Sequence, residues 1–262
     1  MPSVERYGVR LHYSDSGAGP CVFWHTGGGG DGRMWSLAQH TAALPAYRHL
    51  VLDHRGHGRS DRPTRLEEHR IEEYVADVLA VLAHAGVDRA VFVGYSAGAT
   101  VGCEALVESP GRWAGFVALG WVPVPDESPD DSLDAAAHAR AVGMRAAITE
   151  MSKLEGEPAP AWFLDNLVET ETDMFALLLE AWAPAAARPW DDLPRIDAPT
   201  LFLAGSEECS AVDLYAAVAR TPAARGVRLP GFGHLQTFWR SDVTAPLVAD
   251  FVAEAWGNDH RH

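Results

Sequence analysis

Gly94-Tyr95-Ser96-Ala97-Gly98 follows the apolar run Ala90-Val91-Phe92-Val93 and opens into a helix-like segment from Ala99. A serine on a tight strand-to-helix turn presents its hydroxyl as an exposed nucleophile, and flanking glycines let the backbone turn without side-chain clashes. A five-residue match also arises by chance, so partners are needed. A serine hydroxyl is a poor nucleophile until a neighbouring base takes its proton. Of the 12 histidines, His234 stands on the glycine-flanked loop Pro230-Gly231-Phe232-Gly233-His234, after the last predicted strand. Glu207 and Glu208 follow another predicted strand and can supply the ionised carboxylate that holds an imidazole tautomer. A tetrahedral oxyanion needs preorganised backbone donors, and the amide of Ala97, directly after the serine, is one.

These residues meet only if the elements carrying them end at one edge. Val9-Arg10-Leu11-His12-Tyr13 alternates as a half-buried strand does. Cys21-Val22-Phe23-Trp24, Leu50-Val51-Leu52, Ala90-Val91-Phe92-Val93 and Phe116-Val117-Ala118-Leu119 are short continuous apolar runs, the pattern of strands buried on both faces. Helices are predicted over 34–44 and around Val75, Val78, Leu79 and Leu82, with Gly86 as the stop. This βαβα alternation implies a largely parallel sheet with helices on both faces.

From 121 to 194 the rhythm breaks. A Pro- and Asp-rich loop is followed by helical stretches near 133–153, 161–169 and 172–182, rich in aromatics such as Trp121, Trp162, Phe175 and Trp182. Such an insertion above a sheet edge is a ready roof for an apolar pocket. The α/β rhythm resumes with the strand Pro199-Thr200-Leu201-Phe202-Leu203-Ala204, a helix over 211–220, the strand Val227-Arg228-Leu229 and a final amphipathic helix carrying Val243, Leu247, Val248, Phe251 and Val252. The tail 257–262 is expected to fray. In an open parallel sheet, ligands bind beyond the carboxyl ends of the strands. His25-Thr26-Gly27-Gly28-Gly29-Gly30, the stretch 53–60, Ser96, Glu207 with Glu208, and His234 each follow a predicted strand.

At 262 residues the chain fits one α/β core, 1–120 and 195–262, interrupted by a helical cap, 121–194. Its 47% hydrophobic and 22% charged residues are those of a soluble globular protein. A formal net charge of -15 argues against a nucleic-acid partner, because phosphate binding needs clustered Lys and Arg. Cys21, Cys103 and Cys209 have no CxxC spacing and an odd count, suggesting neither a disulfide framework nor a zinc site. The glycine run carries no GxxxxGK[ST] or GxGxxG pattern and the histidines no HExxH spacing, so neither cofactor nor metal is expected. The N-terminus lacks the apolar core of a signal peptide, and no apolar run of about 18 residues could span a membrane. A cytoplasmic protein without a membrane partner is expected.

The sequence resembles the α/β-hydrolase superfamily over nearly its whole length, from the glycine loop through Asp53-His54-Arg55-Gly56-His57-Gly58-Arg59-Ser60 to Gly233-His234. The resemblance implies the α/β-hydrolase fold, a mostly parallel sheet flanked by helices, with 121–194 as the variable helical cap. Nucleophile, acid and histidine occur in the chain order this superfamily uses. The family usually places an aspartate three residues after the glycine that ends the strand. Counted from Gly205 that position is Glu208, with Glu207 the next choice and Asp126, beyond the Phe116 strand, the last. Gly27 is implied as the second oxyanion donor beside Ala97, although this chain has His25-Thr26 where many relatives have His-Gly. The loop around Arg55 and Arg59 is implied to buttress the site. His25, Tyr95, Trp121 and Trp162 are expected to touch substrate.

The expected activity is metal-free serine hydrolysis of an ester, lactone or related carbonyl through an acyl-enzyme, with a small and largely apolar acyl compound as partner. The triad equally suits a C–C bond hydrolase acting on β-diketones, and the fold suits a low-turnover, receptor-like binder. Serine at the elbow disfavours haloalkane dehalogenases and epoxide hydrolases, which use an aspartate there. The oligomeric state stays open.

Overall fold

The apolar runs become the middle of one sheet. In the computed structural model, which describes residues 2–168 and 172–259, the strands are β1 Ser3–Arg6, β2 Val9–Ser16, β3 Cys21–His25, β4 Arg48–Asp53, β5 Ala90–Tyr95, β6 Trp113–Leu119, β7 Thr200–Gly205 and β8 Ala224–Leu229. They form an eight-stranded sheet in the order β1-β2-β4-β3-β5-β6-β7-β8. β1 with β2 and β2 with β4 are antiparallel, and every other pair is parallel.

A continuous apolar run in a parallel strand serves two cores, because successive side chains point to opposite faces. Phe23, Phe92, Phe116 and Phe202 enter the core on one face, while Trp24, Val93, Val117 and Leu203 enter the core on the other. The helices Ile71–His84 and Ala97–Glu108 cover the first face, and Ser241–Asp259 with Arg33–Leu37 covers the second.

Several elements differ from expectation. β1 carries no apolar run and alternates between exposed and half-buried positions, which is why its sequence is silent. The helix expected over 34–44 stops at Leu37, because Gln39 turns left-handed at φ 63°, and only a 3-10 turn, Thr41–Ala43, follows. The predicted stretch 133–153 is two helices, Pro129–Val142 and Met144–Leu154, parted at Gly143 with φ 83°. Between Gly120 and β7 the described residues contain helices and no strand, as expected. The tail expected to fray from 257 is helical through Asp259; residues 260–262, and Glu169 of the predicted 161–169 helix, lie outside the described residues. Among the described residues no helix is long and apolar enough to cross a membrane.

Candidate active site

β5 ends at Tyr95 and the helix Ala97–Glu108 begins one residue after Ser96. Ser96 sits between them at φ 51° and ψ -121°, outside the regions side chains prefer. Its amide donates to the Leu119 carbonyl of β6 at 3.0 Å, and its carbonyl accepts from Ala99 at 2.8 Å. The neighbouring glycines are required by close approach. A Cβ at Gly94 would lie 2.4 Å from the Gly98 carbonyl oxygen, and one at Gly98 would lie 2.2 Å from that of His25. The turn is therefore wedged against the end of β3, and strain of this kind persists only where surrounding structure imposes it.

β3 leads into the glycine loop. A Cβ on Gly27 would lie 3.1 Å from the Ser96 Cβ, so the loop backbone passes beside the nucleophile. As first residue of its helix, Ala97 carries one of the amides that a helix leaves without an internal acceptor. Thr26 is fully buried and donates its hydroxyl to the Gly30 carbonyl at 3.0 Å, tying the loop to itself. The amide of Gly29 donates to His57 Nε2 at 2.9 Å. Arg55 is buried and pairs with Asp77, both contacts 2.7 Å, and Asp53 accepts from the Gly32 and Arg59 amides. These groups hold the loops beneath the site.

His234 opens the short helix His234–Trp239, which the sequence does not announce. Its imidazole is 27% exposed and stacks on the Tyr95 ring at 5.3 Å. Tyr95 donates its hydroxyl to the His234 carbonyl at 3.3 Å. Glu208 Oε2 lies 3.5 Å from His234 Nδ1, while Glu208 Oε1 accepts from the Gly205 amide at 2.7 Å and from Thr237 Oγ1 at 2.9 Å. The longer glutamate arm thus folds back over its own turn, and its carboxylate is only 3% exposed. Thr237, three residues beyond the histidine, is a fixing partner the sequence reading missed. Glu207 is exposed and accepts from Ser206 Oγ, and Asp126 is exposed on its loop. Burial pulls the His234 pKa down, but the hydrogen bond and charge of Glu208, followed by the charge of Glu155, outweigh it and leave the pKa raised.

Ser96, Ala97, Gly27, Tyr95 and His234 line one cavity of about 310 Å³ with Trp121. The helical insertion supplies the opposite wall through Met151, Phe163, Phe175, Leu178 and Trp182. Its attachment includes Asn166, which accepts from the Asp31 amide at 3.1 Å and donates to the Asp31 carboxylate at 2.9 Å. Thr100 and Glu104, farther along the helix that Ser96 precedes, line a polar end with Arg188, whose Nε donates to Glu104 at 2.8 Å. Two residues expected on the wall are elsewhere. Trp162 packs edge-on against Phe163, which takes the wall position itself. His25 is 1% exposed, because it is the last residue of a central strand and lies beneath the glycine loop.

His25 stacks on His54 at 4.8 Å, and His54 meets His57 at 3.8 Å. Burial pushes the His25 pKa down to about 4 and that of His57 to about 3; burial, then the proximity of the other two, places His54 well below the ordinary value. All three are neutral in the folded state, so the unfolded chain binds more protons once pH falls below its histidine pKa of about 6.5. Stability is full above that value and is lost as pH falls toward about 4 and then 3. With each unit of pKa displacement worth about 1.4 kcal/mol, the urea midpoint should hold steady between about pH 7 and 8 and fall steeply below about pH 6. A midpoint unchanged down to about pH 4.5 would contradict this burial of neutral imidazoles. Among the described residues no group of three or more His, Cys, Asp or Glu side chains is arranged to hold a metal ion.

The sequence pattern described as the alpha/beta hydrolase fold matches residues 20–241. Epoxide hydrolase A of Mycobacterium tuberculosis is 32% identical over 124 residues, which is 47% of this chain and 38% of that protein. The chain aligns with less than half the length of the curated relatives it matches. Among solved structures, the enol-lactonase from Burkholderia xenovorans LB400 is similar with a TM-score of 0.79 and 25% identity, covering 96% of this chain and 100% of that one. Est816, described as an N-acyl homoserine lactone degrading enzyme, has a TM-score of 0.77 and 26% identity, covering 96% of this chain and 100% of its own. With a mostly parallel sheet of this topology and a pattern match across most of its length, the chain belongs to the alpha/beta hydrolase fold family.

Proposed function

We propose that the chain is a serine hydrolase that cleaves a small, largely apolar ester or lactone through an acyl-enzyme. One observation carries this reading: strained Ser96 and His234 line the same cavity, and the histidine's far nitrogen faces the buried Glu208 carboxylate. At 3.5 Å that contact is long for a hydrogen bond. Catalytic contacts of this kind tighten when substrate binds and the imidazole becomes charged.

In the first half-reaction Ser96 Oγ attacks the acyl carbon while its proton passes to His234 Nε2. Glu208 accepts from Nδ1–H and stabilises the imidazolium. The oxyanion accepts from the Gly27 and Ala97 amides, each such donor being worth roughly 3 kcal/mol in the transition state. Collapse re-forms the carbonyl and breaks the bond between the acyl carbon and the ester oxygen, and His234 returns the proton to the departing alkoxide, which in a lactone stays tethered to the acyl group. In the second half, water gives a proton to His234 and its oxygen to the acyl carbon. Ser96 leaves and is reprotonated, releasing the acid.

A cavity of about 310 Å³ is at the small end for ligand sites and suits a compact substrate. From Ser96 to the polar end at Glu104 is eight residues of helix rise, about 12 Å. A serine at the elbow supports acyl transfer over epoxide opening, and likeness, at about a quarter identity, to an enol-lactonase and to an enzyme that degrades N-acyl homoserine lactones supports esters and lactones among acyl substrates. The test is a panel of short-chain esters, lactones, β-diketones and epoxides under steady-state conditions. Multiple turnovers on esters or lactones are expected. Turnover confined to β-diketones or epoxides, or one slow event with retained product, would overturn the assignment.

A further inference from the structure

We propose that Glu155, carried by the helical insertion, is the positioning residue of His234: its carboxylate completes the N-terminus of the helix that the histidine begins. The inference rests on reading His234 as the base. The first amides of any helix lack internal acceptors, and an Asp, Asn, Ser or Thr at the N-cap normally serves them. Here the N-cap is Gly233, which has no side chain to offer. Half of a capping box is present, since Gln236 Oε1 accepts from the Gly233 amide at 2.7 Å. The other half comes from 80 residues away. Both carboxylate oxygens of Glu155 accept from the Leu235 amide at 3.1 Å, and Oε2 accepts from the Gln236 amide at 3.3 Å.

The fit leaves no room for a side chain between them: a Cβ on Gly233 would lie 2.3 Å from the Glu155 Cδ. Glycine at the N-cap is thus what lets a carboxylate from another part of the chain do the capping. Glu155 follows directly on the helix Met144–Leu154, whose Ile148 and Met151 line the cavity. One helix therefore walls the cavity and delivers the cap to the histidine. A second tie runs beside it, with Gln236 Nε2 donating to Glu157 Oε2 at 2.9 Å and Arg240 Nη1 lying 4.0 Å from the same oxygen.

The carboxylate contributes charge as well as position. The charges acting on the imidazole are Glu208, from the loop after β7, and Glu155, from the insertion; the Tyr95 ring at the end of β5 stacks on it and the Gly120 backbone hydrogen-bonds to it. A negative charge near the ring favours the imidazolium, the state His234 enters when Ser96 gives up its proton. Burial raises the Glu155 pKa, and the nearby charge of Glu208 adds to that, while the two amides and His234 favour the ionised form. Seating of the insertion and competence of the base are thereby coupled through one side chain.

Two variants separate the effects. Glu155→Gln keeps an oxygen acceptor and removes the charge, whereas Glu155→Ala removes both. The His234 imidazole is followed by NMR in protein carrying ¹³C-labelled histidine, its signal identified by absence from His234→Gln, and kcat and KM are measured on the best ester. His234 should titrate at lower pH in both variants than in the parent. In Glu155→Ala kcat should fall at least about tenfold with little change in KM, as a displaced catalytic group requires, and Glu155→Gln should recover part of that kcat but not the titration. An unchanged His234 titration in Glu155→Gln overturns the proposal, as does an unchanged kcat in a folded Glu155→Ala. Should the alanine variant not fold, the titration of Glu155→Gln decides alone. The titration needs no substrate, so a parent that hydrolyses neither ester nor lactone would sink the hydrolase reading and leave this result standing.

Discussion

Ser96→Ala should lower kcat for ester hydrolysis by about 10⁶-fold, with KM little altered. The change removes one oxygen and leaves the elbow's backbone contacts in place: the Ser96 amide on Leu119, the carbonyl on Ala99, and the glycines packed against β3. Folding should therefore persist, which a thermal melt checks. The cavity and the Gly27 and Ala97 amides would remain, and they sustain a residual rate of roughly 10³–10⁴ over water in enzymes of this mechanism. A variant retaining more than about a hundredth of parental kcat would mean that bond cleavage does not pass through this oxygen.

Glu208→Gln should lower kcat by about 10⁴-fold, again with KM nearly unchanged. The carboxylate is pinned by the Gly205 amide and by Thr237, so the replacement amide keeps its oxygen on those two donors and directs its NH₂ at His234. An NH₂ there favours the wrong imidazole tautomer and contributes no charge to the imidazolium. The mechanism separates this variant from a merely destabilised one, because the loss should appear in kcat while substrate binding holds. Steady-state kinetics within tenfold of the parent would move the acid to another carboxylate. Glu207 and Asp126 are both exposed, and Glu207 accepts from Ser206 Oγ, whereas buried Glu208 reaches the histidine.

Much of this was legible in the sequence for a topological reason. In a parallel sheet every strand ends at the same edge, so residues directly after apolar runs converge without any knowledge of tertiary contacts. That convergence selects Ser96 and His234, while the choice of Gly27 and Glu208 within their loops comes from the family resemblance; the structure brings Ser96, Gly27 and His234 to one cavity with Glu208 behind the histidine. The same logic overreached at His25, which is still within β3 and therefore in the sheet's interior, one residue short of the loop that reaches the cavity. The residue type alone points to Trp162, but on its helix the neighbouring Phe163 takes the inward position.

What stayed invisible has no local signal. β1 pairs at an exposed edge without an apolar face, and the helix His234–Trp239 draws its missing N-terminal acceptor from Glu155, far away in the chain. In the sequence Gly233 is a loop glycine, and what makes it an N-cap is the Glu155 carboxylate beside it. The Glu208–Thr237 contact likewise joins the loop after β7 to the helix His234–Trp239, whose register depends on how β7 and the last helices pack.

The covalent step itself can be observed most directly by exposing the protein to a serine-directed phosphonate and mapping the adduct by intact mass and peptide sequencing. A single adduct on Ser96 is predicted, absent from Ser96→Ala and formed far more slowly in Glu208→Gln. An adduct on any other residue, or one that forms undiminished in Ser96→Ala, would contradict the assignment of Ser96 as the acyl acceptor.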